Sequence, residues 1–289
     1  MSLLQVMILA IVQGLAELLP VSSSAHVVVA EKLMGLDPSS PPMTLLLVML
    51  HTGTMVAVIV YFWRRWHGTY FRSRAAFKEV AVKIIIATAL TGVTGATIFW
   101  AIEKAAFRNL QGAQIEDLFS HLEIMALALA AGGVLILIAG VVTRRNTGGL
   151  ITKMSGLNNR QAALIGAVQG FCLPFRGFSR SGATISVGML AGVPKSRAEP
   201  FSFALALVLT PAVVARETIR LANFQATSGA SNLASAVAPS LLGATFAFLA
   251  GLVALKWLSR WLEGGRWYLF GIYCLIAASV VFVLHHLGY

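Results

Sequence analysis

Six apolar stretches, each about 20 residues long, run over 43–62, 79–100, 122–143, 200–219, 236–257 and 267–287 and limit the fold more than any other feature of the chain. In hydrocarbon every backbone N–H and C=O must find its partner inside the protein, so apolar runs joined by short polar connections imply one helical bundle. The composition excludes a soluble domain: 57% of the 289 residues are hydrophobic and 11% are charged, with a mean hydropathy of +0.80. The two cysteines, Cys172 and Cys274, sit in apolar surroundings without disulfide or metal-ligand spacing and read as packing residues.

Two further segments, 3–34 and 161–193, are apolar but broken, the first at Pro20-Val21-Ser22 and the second between Pro174 and Ser179. Each half is too short to cross a bilayer, so both segments read as re-entrant hairpins, permitted at membrane depth only where protein or a watery cavity surrounds the irregular backbone. Three spans separate them, an odd number, so one hairpin enters from each face and their tips meet near the midplane. The expected architecture is an all-α integral membrane domain over 1–289. It has six transmembrane helices and two re-entrant hairpins in an inverted-topology repeat, about 1–145 and about 158–289. The N-terminus lacks the basic region and small-residue cleavage site of a cleavable signal.

The net charge of +11 sets orientation. Arg64, Arg65, Arg72, Arg74 and Lys78 crowd one connection, and Arg144, Arg145, Lys153 and Arg160 another. Lys195, Arg197, Lys256, Arg260 and Arg266 fall on the same side, opposite Glu103, Glu116, Asp117 and Glu123. Basic connections mark the cytoplasm, which places both termini outside. No nucleic-acid motif accompanies the charge.

The triplet Val-Gln-Gly occurs twice, each time shortly before a serine-rich break. Val12-Gln13-Gly14 leads through Glu17 to Leu19-Pro20-Val21-Ser22-Ser23-Ser24-Ala25-His26, and Val168-Gln169-Gly170 leads to Gly177-Phe178-Ser179-Arg180-Ser181-Gly182-Ala183-Thr184. Only the first copy carries a carboxylate and an imidazole, and only the second a guanidinium, a division that suggests one composite site for a phosphate. Glu17 lies one helical turn after Gln13, so the two share a face. A carboxylate at this depth must be paired, protonated or bound to a cation. It serves either as a divalent-metal ligand, with Gln13 as a neutral oxygen donor, or as the group that activates a nucleophile.

Serines at 22–24 would cap the following helix in the ordinary way. His26 is close enough along that helix start to reach a serine hydroxyl, and a Ser–His pair beside a carboxylate supplies nucleophile and base. Ser179 through Thr184 combines hydroxyls, Gly182 for close backbone approach, a helix N-terminus and Arg180, the components of an anion site. The plainer alternative is a structural pair between Glu17 and Arg180 across the hairpins. His51, followed by Thr52-Gly53-Thr54, reads as hydrogen-bonding glue in a close helix contact. Arg216, Glu217 and Arg220 read as interfacial anchors. Trp63, Trp66, Trp257, Trp261 and Trp267 read as an aromatic belt at the cytoplasmic ends.

On these residues the chain resembles the undecaprenyl-diphosphate phosphatase family, the bacitracin-resistance phosphatases of bacterial membranes. That family's signatures are Glu/Gln-x-x-x-Glu running into Leu-Pro-Val-Ser-Ser-Ser-x-His, and Pro-Gly-x-Ser-Arg-Ser-Gly-x-Thr. They are similar to Gln13 through His26 and Gly177 through Thr184 here. The resemblance spans nearly the whole chain. It implies hydrolysis of a C55 polyprenyl diphosphate to the monophosphate used in cell-wall synthesis, assisted by Mg²⁺ or Ca²⁺. It places the chain in the bacterial cytoplasmic (inner) membrane as a multi-pass protein, with its site open to the exterior or periplasm. Glu17 would hold metal or tune the site, with Gln13 beside it. Ser23 and His26 would be nucleophile and base, in an order left open. Arg180 would act on the diphosphate with Ser22, Ser24, Ser179, Ser181, Gly182 and Thr184. Arg176 stands where the family usually has proline, the nearest proline being Pro174, and could add a second cation. The expected partners are the lipid substrate and the bilayer, with a homodimer as a candidate assembly.

The main rival is a carrier or flippase for polyprenyl phosphate that uses the same residues without cleaving the headgroup, since inverted repeats are usually met in transporters. The Lys-rich, Pro-Ser-Gly-His segments of another lipid phosphatase type are absent. A purely structural role leaves Glu17 and Arg180 at a costly depth without purpose.

Overall fold

Pro20 and Pro174 divide the two short segments where the sequence placed their breaks. A computed structural model describes residues 2–36, 41–106, 121–146, 157–228 and 234–288, with the side chains at 41–42, 105–106, 145–146, 213, 216–217, 220–228 and 234–236 left aside. Among the described residues there are ten helices and no strand: α1 Leu3–Leu18, α2 Ser23–Leu33, α3 Pro41–Thr69, α4 Arg74–Ala106, α5 Leu122–Asn146, α6 Asn159–Cys172, α7 Arg180–Leu190, α8 Lys195–Ser228, α9 Ala234–Glu263 and α10 Tyr268–His286. Five of them contain spans long and apolar enough to cross a membrane: Met43–Thr69, Arg74–Lys104, Leu122–Arg144, Val237–Glu263 and Tyr268–His286. The sixth expected span, 200–219, falls within α8, where the side chains of Val213, Arg216 and Glu217 lie outside the described residues. So do the anchor side chain of Arg220 and that of Arg145, and Glu116, Asp117 and Lys153 altogether.

The four short helices have local causes. Both α1 and α6 open with a capping box, Ser2 with Gln5 and Asn158 with Gln161, which satisfies N–H groups that a helix start leaves bare. Helix α1 stops at Leu19, whose ψ of 154° is the extended geometry that a following proline demands. At 16, 11, 14 and 11 residues, α1, α2, α6 and α7 all fall short of the roughly 20 residues of a span.

The repeated Val-Gln-Gly has a packing explanation. Helix α1 buries Val6, Leu9, Ala10, Gln13, Gly14 and Ala16, a helical stripe, against α9. A Cβ on Gly14 would lie 2.6 Å from the Ala247 carbonyl oxygen. Helix α6 rests on α4 in the same way, where a Cβ on Gly166 or Gly170 would lie 2.2 Å from the Ala87 oxygen or 2.5 Å from the Thr91 oxygen. Without a hydrophobic drive between helices in lipid, close backbone approach at small residues is what holds such crossings. The glutamines then diverge. Gln169, lacking a nearby carboxylate on its helix, donates to Thr91 Oγ1 at 3.4 Å, whereas Gln13 turns to Glu17.

The basic ends collect on one face of the bundle. Trp66 Nε1 donates to the Pro200 carbonyl at 3.2 Å, Arg65 lies 3.5 Å from Glu199, Ser259 donates to Glu199 at 2.6 Å, and Arg144 stacks over Tyr268. The tryptophan belt is only partial. Trp63 and Trp257 are exposed, but Trp66 and Trp267 are buried, because their indole N–H groups find partners inside, Pro200 O and Ser186 Oγ. Cys172 and Cys274 are free and buried, as packing residues should be.

Candidate active site

Glu17 ends α1 beside the break that Pro20 forces, and Arg180 opens α7 beside the break between Leu173 and Ser179. The two breaks meet. Arg180 Nη2 donates to Glu17 Oε1 at 2.8 Å. On the other carboxylate oxygen, Ser23 Oγ donates to Oε2 at 2.5 Å and Gln13 Nε2 at 3.2 Å. One carboxylate thus joins the start of α2, the end of α1 and the start of α7. Further bonds fasten the hairpins: Gly177 N–H to Ser24 Oγ at 3.3 Å, Ser181 Oγ to the Leu19 carbonyl at 3.3 Å, and Ser22 Oγ with Ser24 Oγ at 3.2 Å.

The cluster borders a cleft of about 20 Å³ lined by Glu17, Leu18, His51, Thr54, Met55, Val58, Arg180, Phe203, Ala206, Leu207 and Thr210. His51 and Thr54 lie near the middle of α3, so the charged groups sit at mid-height of the bundle. This volume takes about one water, since one needs on the order of 10–15 Å³. The Glu17–Arg180 pair thus borders a cleft that, as it stands, has room for little more than water.

His51 is where the sequence reading and the structure diverge. Expected as packing glue, it lines the cleft with Nε2 3.7 Å from Glu17 Oε2, while Nδ1 faces the Leu47 carbonyl at 2.9 Å. The close contact foreseen there does exist, but it belongs to Gly53, whose Cβ would lie 2.2 Å from the Ala244 oxygen. His26 does not meet a serine hydroxyl. Its Nδ1 lies 2.7 Å from the Ser22 carbonyl and its Nε2 2.7 Å from the Tyr273 hydroxyl. A neutral ring donating from Nδ1 thereby accepts from the tyrosine at Nε2. Nothing in the sequence pointed to Tyr273, which lies 247 residues away within an apolar span.

The anion loop is mixed. Ser179 caps α7 by accepting from Gly182 N–H at 3.2 Å. Thr184 is fully buried and turned away from the cleft, bonded to Ser202 Oγ at 2.6 Å and to the Arg180 carbonyl at 2.8 Å. Arg176 does not line the cleft; its charge acts on Glu31, which is buried with Oε1 lacking a hydrogen bond among the described residues.

Two backbone positions hold the loops. Ser22 has φ +67°, the one non-glycine among the described residues well inside the left-handed region, and that strain sits at the start of α2 beside the carboxylate. Gly177 has φ +105°, and a Cβ there would lie 2.4 Å from the Met125 carbonyl oxygen. Gly177→Ala is therefore expected to displace the loop that carries Arg180. The thermal midpoint should fall as the Glu17–Arg180 contact loosens, with helical content by circular dichroism unchanged.

Residues 6–280 match the family model described as bacitracin resistance protein BacA. The chain is 56% identical to undecaprenyl-diphosphatase 2 of Acinetobacter baylyi, covering 98% of both chains. It is 33% identical to undecaprenyl-diphosphatase of Rhodopirellula baltica over 98% of both, and to undecaprenyl-diphosphatase 2 of Burkholderia orbicola over 99% of both. With its two breaks meeting at Glu17 and its match running almost end to end, this multi-pass membrane protein belongs to the BacA bacitracin-resistance family.

Proposed function

We propose that the protein hydrolyses undecaprenyl diphosphate to undecaprenyl phosphate and orthophosphate. The observation that carries this reading is the double use of Glu17, which holds the Ser23 hydroxyl on one oxygen and Arg180 on the other. A hydroxyl bound to a carboxylate is a nucleophile with its base in place, and a guanidinium beside it binds the phosphoryl oxygens on which charge develops.

In the reaction the terminal phosphate displaces Glu17 from Arg180, and the freed carboxylate takes the Ser23 proton as Oγ attacks phosphorus. The P–O bond to the lipid monophosphate breaks, leaving a phosphoserine. The Tyr273–His26 pair, which adjoins the serines through the Ser22 carbonyl, supplies the proton movements of the second step, in which water releases orthophosphate. Leu18, Met55, Val58, Phe203 and Leu207 give the cleft apolar walls suited to a lipid tail arriving from the bilayer.

Among the described residues no three His, Cys, Asp or Glu side chains gather into a metal cage. The oxygen donors Glu17, Gln13 and Ser23 nonetheless suit Mg²⁺ or Ca²⁺ of the kind held by one carboxylate and the substrate's own phosphates. Such an ion, when bound, would neutralise charge on the diphosphate.

The full arrangement is read as six spans and two re-entrant hairpins in an inverted repeat. The basic end faces the cytoplasm of a bacterial inner membrane, and the cleft opens outward. The test is orthophosphate release by detergent-purified protein from C55 and C15 diphosphates, with and without chelator. Release from both, with a loss on chelation that added Mg²⁺ or Ca²⁺ restores, is expected. Translocation of labelled lipid by reconstituted vesicles with no orthophosphate released would replace the hydrolase reading with the carrier.

A further inference from the structure

A second cavity lies at the basic end of the bundle. It has a volume of about 110 Å³ and is lined by Thr69, Tyr70, Arg72, Ala76, Glu79, Val80, Lys83, Leu157, Arg197 and Phe201. It is separate from the Glu17 cleft. No residue lines both: on α3 Val58 borders one and Thr69 the other, eleven residues or about 16 Å apart at the α-helical rise, and on α8 Phe203 and Phe201 stand between them.

The charge in this cavity is unbalanced. Arg72, Lys83 and Arg197 face one carboxylate, Glu79, which is largely exposed and hydrogen-bonded to Lys83 at 2.5 Å. Lys83 is itself buried, at 9% exposure, so its ammonium forms a floor with the arginines at the rim. Val80, Leu157 and Phe201 are buried walls that keep the local dielectric low and strengthen the field inside. Burial pushes the Tyr70 phenol up to about 12, so at neutral pH it stays a hydrogen-bond donor, with the Arg197 charge close by. Two guanidinium forks, an ammonium and a phenol present more donors than a carboxylate's two oxygens satisfy, whereas a tetrahedral phosphate offers acceptors in several directions. The volume is several times what one water needs, about 10–15 Å³.

We propose that this cavity is a second phosphate site, which binds a phosphate monoester or free orthophosphate between Arg72, Lys83 and Arg197 at the end of the bundle remote from Glu17. Its position at the basic end suits either a lipid headgroup reaching in from the bilayer surface or a dissolved ion, and the chemistry of recognition is the same for both. The site does not depend on the hydrolytic reading, because none of its residues belongs to the Glu17 cluster.

The test is equilibrium dialysis of the full-length protein in detergent against radiolabelled orthophosphate and, separately, farnesyl monophosphate. Wild type is compared with the Lys83→Gln/Arg197→Gln double variant and with Arg72→Gln, a change at an exposed rim position that leaves the buried floor intact. Wild type should bind one equivalent more than the double variant, whether or not the Glu17 cleft also takes the probe, while Arg72→Gln weakens that equivalent by about tenfold, as expected for loss of one charge-assisted contact. A thermal midpoint and helical circular dichroism close to wild type show that the double variant is folded; if it does not fold, Arg72→Gln decides alone. A loss seen with both probes identifies a site for the phosphate group itself, and a loss seen with the farnesyl ester alone identifies a lipid site. Isotherms of the variants that superimpose on wild type for both probes would overturn the proposal.

Discussion

Arg180→Ala is expected to lower orthophosphate release from undecaprenyl diphosphate by on the order of 10³-fold or more, the range an arginine commands in phosphoryl transfer. The difficulty is that Arg180 also neutralises Glu17 at mid-height of the bundle, 2.8 Å away. Removing one partner of a partly buried pair leaves an uncompensated charge at a cost below the roughly 3–5 kcal/mol of a fully buried one, so the single variant mixes lost chemistry with lost stability. The Glu17→Gln/Arg180→Gln double variant separates them. It carries no net charge in the pair and keeps hydrogen-bonding groups at both positions, so its thermal midpoint should return toward wild type. Its activity should not return, because both the base and the phosphate ligand are gone. A double variant that regains stability and also releases orthophosphate at near wild-type rates would reduce the pair to a structural clamp, the plainer reading of these two residues.

Both the catalyst and the plainer clamp are legible in the sequence, and the reason is physical. Ionisable groups beside breaks in apolar helices have few ways to exist, so Glu17 and Arg180 had to find each other or an equivalent partner. Proline geometry fixed the breaks, and helical spacing put Gln13 on the face of Glu17. What was not legible depended on contacts between distant segments. Tyr273 meets His26 across 247 residues, and no local pattern in an apolar span distinguishes a tyrosine that faces a site from one that faces lipid. His51 sits differently from the sequence expectation for a related reason. The small residues after it did signal a close crossing, but Gly53 makes that contact and leaves the histidine on the adjoining face, toward Glu17. Thr184 shows the opposite failure. It belongs to a motif rich in phosphate-binding residue types, yet its position on α7 turns it onto Ser202 of α8.

The serine offers the sharpest test of mechanism. Ser23→Ala is expected to abolish turnover, by on the order of 10⁴-fold or more as for loss of a nucleophile, while leaving the Glu17–Arg180 pair intact. Ser23 lies on the first turn of α2 and donates to Glu17, whereas Ser22 and Ser24 bond one another and Ser24 accepts from Gly177. Only Ser23, among the three, has its hydroxyl on the carboxylate. Ser22→Ala and Ser24→Ala should consequently cost far less, through loosened loops rather than lost chemistry. His26 is the competing nucleophile, with Nε2 at 2.7 Å from Tyr273 in the resting arrangement. Rapid acid quench of wild type with substrate labelled on the terminal phosphate distinguishes them, because a phosphoserine survives acid and a phosphohistidine does not. Label retained on wild type and absent from Ser23→Ala fits attack by the hydroxyl. Label that survives only under alkaline work-up and persists in Ser23→Ala would transfer the attacking role to His26 and leave Ser23 as the group that orients Glu17.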